Sequence, residues 1–415
     1  MSRAEYMTES MTAHMTAEMT ADMTDRTNSS GHHVSVNILN GGSEIALQWH
    51  DKASRYHAIW LRDNGQDENT RNQANHQKLI TIGDIPETVY VENAVVIDDH
   101  HLKLGFGPDQ WTTTIDLDWL HSHRYDRQDQ NPDSSPFADN VTTWDSDFLN
   151  DITRSDYNAV LTDPEALLKW LRAVDRYGVA ILSGLPEKNA AVLDVIDLFG
   201  YIRETNYGEY FEIRSETNPI NLAYTSIGLQ SHTDNPYRDP VPGLQLFGCL
   251  ENNADGGESV VVDGFRVAEI IRQENPQWFD LLSSYNAQFE YHGSSDAHLR
   301  ASRPMIECGP NGKIIHIRFN NRSCTALTEI PYDHMEEYYR AYRRFGDLVN
   351  SNQLEVIFKL EPGQLFITDN TRVLHGRTGF SGSGSRWMQG AYADKDSLKS
   401  KIRVLEQSLN STQQE

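Results

Sequence analysis

His232 and Asp234 stand two residues apart in LQSHTDNPY. In an extended chain successive side chains alternate sides, so this imidazole and this carboxylate project from one face. Such a face can hold a metal. His375 lies 143 residues further on in VLHGRTGF, directly after the strand-like run GQLFITDN, and Arg386 follows eleven residues later in SGSGSRWMQGAY. Two imidazoles and one carboxylate hold iron(II) on one side and leave positions open for small molecules. The same set also suits a catalytic zinc with a single open site, the chemistry of a hydrolase. The sequence has no HExxH run, and it adds a distal arginine, so iron is the better fit. His292, His298, His316 and His334 have no second ligand at strand spacing and read as structural or surface residues.

Positioning residues so far apart in sequence requires a sizeable fold. The chain has 415 residues with 8 Trp, 18 Tyr and 14 Phe, enough apolar surface for a packed core. Its 36 Lys and Arg against 60 Asp and Glu give a net charge of −24, which disfavours nucleic acid and anionic lipid surfaces as partners. No run is apolar enough for a membrane span or a secretory signal, and Cys249, Cys308 and Cys324 are an odd set in apolar runs, so a reducing cytoplasm is expected. Residues 1–32 repeat a Met-Thr-Ala/Glu/Asp theme without large aliphatic side chains and read as a disordered tail. Residues 33–124 contain short alternating runs such as VSVNIL, EIALQW and HLKLGF, a small antiparallel β domain. Residues 125–147 are polar and rich in Asp and Pro, a linker. From 148 to 405, strand-like runs alternate with helices expected around 265–284 and 332–350, and with one in DPEALLKWLRAVDRYG, where Asp163 caps, Pro164 opens and Gly178 closes. Mostly β with a few flanking helices predicts a barrel or jelly roll rather than a βαβ sheet. Residues 406–415 are polar and read as a frayed tail.

The metal pattern with its distal arginine resembles the Fe(II)- and 2-oxoglutarate-dependent dioxygenases of the taurine dioxygenase and γ-butyrobetaine hydroxylase type. Over roughly residues 55–405, WLRDN (60–64), NLAYT (221–225), HTDNP (232–236), GGESVVVDGF (256–265), HGR (375–377) and GAYAD (390–394) are similar to the γ-butyrobetaine and trimethyllysine hydroxylases. The resemblance implies a double-stranded β-helix behind a small amino-terminal β domain, a homodimer, and hydroxylation of a small trimethylammonium compound with O2. His232, Asp234 and His375 would bind iron(II), and Arg386 would anchor the far carboxylate of 2-oxoglutarate, with ascorbate supportive in vitro. The cage for the quaternary ammonium maps onto Tyr207, Phe211, Tyr224 and Tyr392, whose ring faces attract a cation that cannot hydrogen-bond. Asn221 and Asn320 map onto asparagines at the substrate's anionic end.

Two departures qualify the resemblance. Gly65, Asp67 and Thr70 replace the cysteines that hold zinc in such proteins, so no structural zinc is expected. Arg300 and Arg303 bracket an expected substrate-covering segment, AHLRASRPMIE, and suit a phosphonate better than a carboxylate. The reading therefore leans to 2-(trimethylamino)ethylphosphonate, giving its 1-hydroxy product, over γ-butyrobetaine, giving L-carnitine. A relative acting on another small anionic substrate, and a non-catalytic metal-binding or sensing protein of the same fold, are the alternatives.

Overall fold

The computed structural model describes residues 34–49, 52–126, 137, 140–214, 228–293, 296–380 and 385–412. The Met/Thr-rich tail, Asn221 and Tyr224 lie outside the described residues. The chain divides into two compact units, 1–134 and 135–415.

In the first unit, β1 (Ser35–Leu39), β2 (Glu44–Gln48) and β3 (Ala53–His57) form one antiparallel sheet, and β4 (Tyr90–Val96), β5 (His101–Gly107) and β6 (Trp111–Asp116) form another. Alternate residues of both, including Ile45, Leu47, Tyr56, Leu102, Leu104 and Ile115, share one core. Arg62 of WLRDN is buried against the Trp111 ring at 3.8 Å and pairs with Asp109 at 3.1 Å. Asp67 Oδ1 accepts the backbone N–H groups of Asn69 and Thr70, and the Thr70 hydroxyl donates to Asp67 Oδ2 at 2.8 Å. That turn is closed by its own side chains.

In the second unit the strands are β7 (Arg154–Asp156), β8 (Val179–Ser183), β9 (Tyr210–Arg214), β10 (Leu229–His232), β11 (Leu244–Asn252), β12 (Ser259–Asp263), β13 (Asn286–Tyr291), β14 (Leu299–Pro304), β15 (Ile306–Cys308), β16 (Ile314–Ile317), β17 (Val356–Phe358), β18 (Leu365–Asp369), β19 (Val373–Arg377) and β20 (Arg386–Ala393). A six-stranded sheet runs β7-β8-β18-β11-β20-β9 and a four-stranded sheet runs β10-β19-β12-β17. Val179, Phe247, Phe366 and Met388 of the larger sheet share one apolar cluster with Val261, Val356 and Val373 of the smaller. The two sheets thus close on each other as the expected jelly roll. The outer face of the larger sheet is buried too: Ala180, Leu182, Leu365 and Ile367 pack on the helices Pro164–Tyr177 and Lys395–Thr412. Burial on both faces explains why VAILS and LFITD read as continuous apolar runs.

The helix Pro164–Tyr177 has the expected ends: Asp163 accepts the Glu165 N–H at 2.9 Å, and Gly178 at φ 77 ends it in the left-handed region. Elsewhere the structure departs from expectation. The helix read over 265–284 is two, Gly264–Glu274 and Pro276–Ser284, because Pro276 has no N–H to continue the ladder and Asn275, extended, caps the second helix instead. The helix near 332–350 is a short 3₁₀ turn, Tyr332–His334, leading into Met335–Val349. Residues 406–412 are not frayed but continue the terminal helix, with Leu405 buried and Glu406 pairing with Arg172 at 2.8 Å. Residues 140–147 are packed rather than a free spacer, since buried Trp144 donates its backbone N–H to Asp263 at 3.1 Å and its indole N–H to the Tyr177 carbonyl at 2.7 Å.

One buried ion pair sits at the corner between the sheets. Arg372 donates to Asp263 at 3.0 and 2.8 Å and to the carbonyls of Arg176 and Thr142, with both charged side chains almost fully enclosed. Removing one member strands the other in low dielectric. Arg372→Met is expected to cost about 3–5 kcal/mol of unfolding free energy, measured by urea denaturation; a loss under about 1 kcal/mol would show that the pair contributes little.

Candidate active site

The strands β10 and β19 pair antiparallel with His232 opposite His375, their ring centroids 4.6 Å apart. Two residues past His232 comes Asp234, after which Asn235 at φ 54 turns the chain, a conformation asparagine tolerates better than most residues. Asp234 Oδ1 lies 3.3 Å from His232 Nε2 and 3.7 Å from His375 Nε2. The ligand atoms of the three residues all lie within 4.8 Å of one another, so one divalent ion could meet all three from one side. Among the described residues no other His/Cys/Asp/Glu group does so.

Neighbouring groups aim these ligands. His232 Nδ1 lies 2.8 Å from the Gln230 carbonyl, which can only accept, so the proton sits on Nδ1 and the Nε2 lone pair faces the centre. Asp234 Oδ2 accepts from Gln245 Nε2 at 2.6 Å and from the Tyr392 hydroxyl at 2.7 Å, leaving Oδ1 turned to the imidazoles. Burial alone would raise the Asp234 carboxyl, but His375, His232 and Tyr392 together hold it well below the usual carboxylate range. Burial drives the His375 imidazole down to about 3, so it is neutral and able to ligate at physiological pH. These donor types fit a 2-His-1-carboxylate metal centre.

The triad opens into a cavity of about 400 Å³. Arg386, at the start of β20, lines it with Arg377 and Arg322. Arg386 is buried, its Nε has no hydrogen-bond partner, and it forms no ion pair among the described residues. Burial, with Arg377 nearby, pushes its guanidinium down to about 10, so it remains charged at neutral pH. A buried cation without a counter-charge is costly, and an anionic ligand would satisfy it.

Aromatic rings line another part of the wall. Tyr207 lies edge-on to Phe211 at 6.3 Å and to Tyr291 at 6.0 Å, and Phe211 lies 5.2 Å from Tyr392. Tyr237 stacks on Tyr291 at 5.2 Å, and its hydroxyl meets that of Tyr207 at 3.1 Å. Phe211 lies across β20 opposite Gly390, where a Cβ would come within 2.3 Å of the ring edge, so a larger residue there would displace the Phe211 ring. Tyr207, Phe211, Tyr392, Asn320 and Arg386 are thus brought to the cavity with the triad. Asn320 is committed to the backbone, its Nδ2 donating to the Thr233 carbonyl at 3.2 Å and its Oδ1 accepting from the Arg322 N–H at 3.1 Å.

Arg300 and Arg303 do not line the cavity, a correction to the sequence reading. Their segment is the outer strand of the hairpin β13–β14. Arg300 donates to Glu290 at 2.9 and 2.7 Å, and Arg303 pairs with Asp239, both side chains being well exposed. Arg322 lines the cavity instead, its Nη2 donating to His232 Nε2 at 2.8 Å. Tyr237, Tyr291, Gln245, Arg322 and Arg377 were missed. Tyr237 and Arg377 stand within or beside HTDNP and HGR and so carried a signal of proximity; Tyr291 and Gln245 carried none.

The sequence profile of the family described as "Taurine catabolism dioxygenase TauD, TfdA family" matches residues 142–392. Gamma-butyrobetaine dioxygenase of Pseudomonas sp. (strain AK-1) is 34% identical over 88% of this chain and 94% of its own length. Gamma-butyrobetaine dioxygenase of Homo sapiens is 29% identical over 89% of this chain and 96% of its own. Mitochondrial trimethyllysine dioxygenase of Bos taurus is 28% identical, covering 90% and 89%.

A neutral buried imidazole makes native stability depend on pH. With His375 down to about 3 in the native chain and at an ordinary value of 6.5 when unfolded, only the unfolded chain binds its proton between these values. Stability therefore falls as pH falls below 6.5, and the loss from this residue reaches about 2 kcal/mol at pH 5. Urea denaturation of the metal-free protein at pH 7.5 and 5 should show His375→Asn losing about 2 kcal/mol less than wild type on acidification; equal losses would show that the buried imidazole is not the cause.

Proposed function

This chain belongs to the taurine catabolism dioxygenase TauD, TfdA family, and on that premise we propose that it is an Fe(II)- and 2-oxoglutarate-dependent dioxygenase that hydroxylates a small trimethylammonium zwitterion. The observation that carries this reading is the meeting, in one cavity, of the His232–Asp234–His375 triad, the buried Arg386 guanidinium, which forms no ion pair among the described residues, and a wall of aromatic rings. The Pseudomonas and human relatives, named for γ-butyrobetaine, support that compound as substrate and L-carnitine as product.

Iron(II), when bound with 2-oxoglutarate and O2, supplies the oxidant that replaces a substrate C–H by C–OH. The protein holds and orients. His232 Nε2, Asp234 Oδ1 and His375 Nε2 would ligate, and Arg386 would take the far carboxylate of 2-oxoglutarate as a charge-assisted pair. Tyr207, Phe211, Tyr237 and Tyr291 would face the quaternary ammonium, which offers no N–H and so is best held by ring faces and excluded water. Asn221 and Tyr224 remain candidates beside them. Arg322 would meet the substrate's anionic end. No side chain has to act as a general base.

Arg322 also favours a second reading, the phosphonate analogue 2-(trimethylamino)ethylphosphonate, whose extra charge and acceptor oxygens suit a guanidinium. The same proposal includes a homodimer in a reducing cytoplasm. All three cysteines are free, which fits a reducing compartment, and no helix among the described residues is long and apolar enough to cross a membrane.

The test is turnover with iron(II), ascorbate and 2-oxoglutarate, scored as succinate and as a gain of one oxygen atom, on both quaternary compounds and on taurine. Tyr207→Leu should raise KM for the quaternary substrate by about 3–30-fold. Arg386→Met should weaken binding of the cosubstrate 2-oxoglutarate, raising its KM by about 10–100-fold. Arg322→Met separates the anions: a larger loss on the phosphonate than on γ-butyrobetaine supports the second reading. Turnover of taurine with neither quaternary compound accepted would overturn the proposal.

A further inference from the structure

Asn370 ends the run GQLFITDN that leads to His375, and its side chain grips one of the three ligand residues from both sides. It sits at the corner where the chain leaves β18 of the six-stranded sheet and enters β19 of the four-stranded sheet, five residues before His375. Its side chain is wholly buried. Oδ1 accepts the backbone N–H of Asp234 at 2.7 Å, while Nδ2 donates to the carbonyl of the same residue at 3.0 Å and to that of Pro242 at 2.9 Å. The Asn370 backbone N–H donates in turn to the Gly243 carbonyl at 3.0 Å.

Asp234 lies beyond the end of β10, so no strand partner fixes its backbone. The primary amide of Asn370 supplies what a neighbouring strand would: one acceptor and one donor, facing the N–H and C=O of a single residue. We infer that Asn370 is the positioning residue of the metal centre, locking the Asp234 main chain to the corner that delivers His375 so that the carboxylate and the second imidazole keep a fixed separation. The inference rests on the reading that the triad holds a metal. Other residue types at position 370 fail for stated reasons. Aspartate can accept the Asp234 N–H but cannot donate to two carbonyls, and alanine does neither. The neighbouring Asp234 contacts from Gln245 and Tyr392 orient the carboxylate about its own torsion, whereas Asn370 acts on where its Cα stands.

The experiment measures Mn(II) affinity of the full-length, metal-free protein by electron paramagnetic resonance, with no substrate or turnover involved. Asn370→Ala and Asn370→Asp are compared with Arg372→Lys, which disturbs the Asp263 pair two residues along the same corner and reports the effect of lost stability alone. Melting temperature is recorded for each. Expected is a rise of at least about tenfold in the Mn(II) Kd for both Asn370 variants, with a broadened or altered bound-Mn(II) spectrum, while Arg372→Lys melts lower yet binds Mn(II) as wild type does. Asn370 variants that bind like wild type, or an Arg372→Lys loss of affinity matching theirs, would overturn the positioning role. An Asn370→Asp variant that alone retains wild-type affinity would overturn the two-sided clamp. A wild-type protein that binds no Mn(II) would overturn the metal reading itself, and the inference with it.

Discussion

The register between β10 and β19 is the constraint on which the rest of the site depends. Side chains alternate with a period of two, so a slip of one residue would send an imidazole to the opposite face of the sheet and leave no centre. The strand β10 is only four residues long and lies at the edge of its sheet, which by itself specifies register weakly. Gly376 tightens it. A Cβ at that position would stand 2.6 Å from the Leu229 carbonyl and 2.8 Å from the Ser231 nitrogen, so only glycine allows β19 to approach this closely. The HGR motif is therefore a packing requirement between two ligand residues as much as a carrier of His375.

Around that centre the charges are arranged against the character of the whole molecule. The chain carries −24, yet Arg322, Arg377 and Arg386 all line one cavity with Asp234. Burial and mutual repulsion lower the hold of Arg386 on its proton without removing it. Perturbed groups such as Arg386 concentrate where ligands bind. The carboxylate meanwhile is supplied with donors on its outer oxygen, so its charge is directed to one side.

Much of the architecture was legible because it follows short-range rules. The ligand pair obeys the strand period, Asp163 and Gly178 mark helix ends, and continuous apolar runs mark strands buried on both faces. What was not legible depends on partners distant in sequence. Arg300 reads as an anion-binding group until β13 places Glu290 directly opposite it. Tyr291 comes from that same hairpin and reaches the cavity through a fold-level approach that no local spacing signals. Residues 140–147 are polar enough to pass for a linker, but a single buried indole, Trp144, ties them down. Pro276 was visible, yet whether a proline breaks a helix or opens a new one is decided by whether the preceding residue can cap, as Asn275 does.

Tyr392 joins the aromatic wall of the cavity to the His232–Asp234–His375 triad. Its ring packs 5.2 Å from Phe211, and its hydroxyl donates to Asp234 Oδ2 at 2.7 Å. Burial and the adjacent Asp234 charge raise its pKa well above the ordinary tyrosine value, so the phenol stays protonated and remains a donor. Tyr392→Phe would keep the ring face and remove only the donor, whereas a small aliphatic residue would remove both. A change in quaternary-ammonium affinity on removing the ring is therefore not by itself a measure of cation–π attraction, because the same substitution releases one oxygen of the metal carboxylate. Tyr207, whose hydroxyl meets Tyr237 rather than Asp234, reports on the aromatic wall without that confusion. The strand β20 thus couples the aromatic wall to the triad through one side chain, while its first residue, Arg386, lines the same cavity.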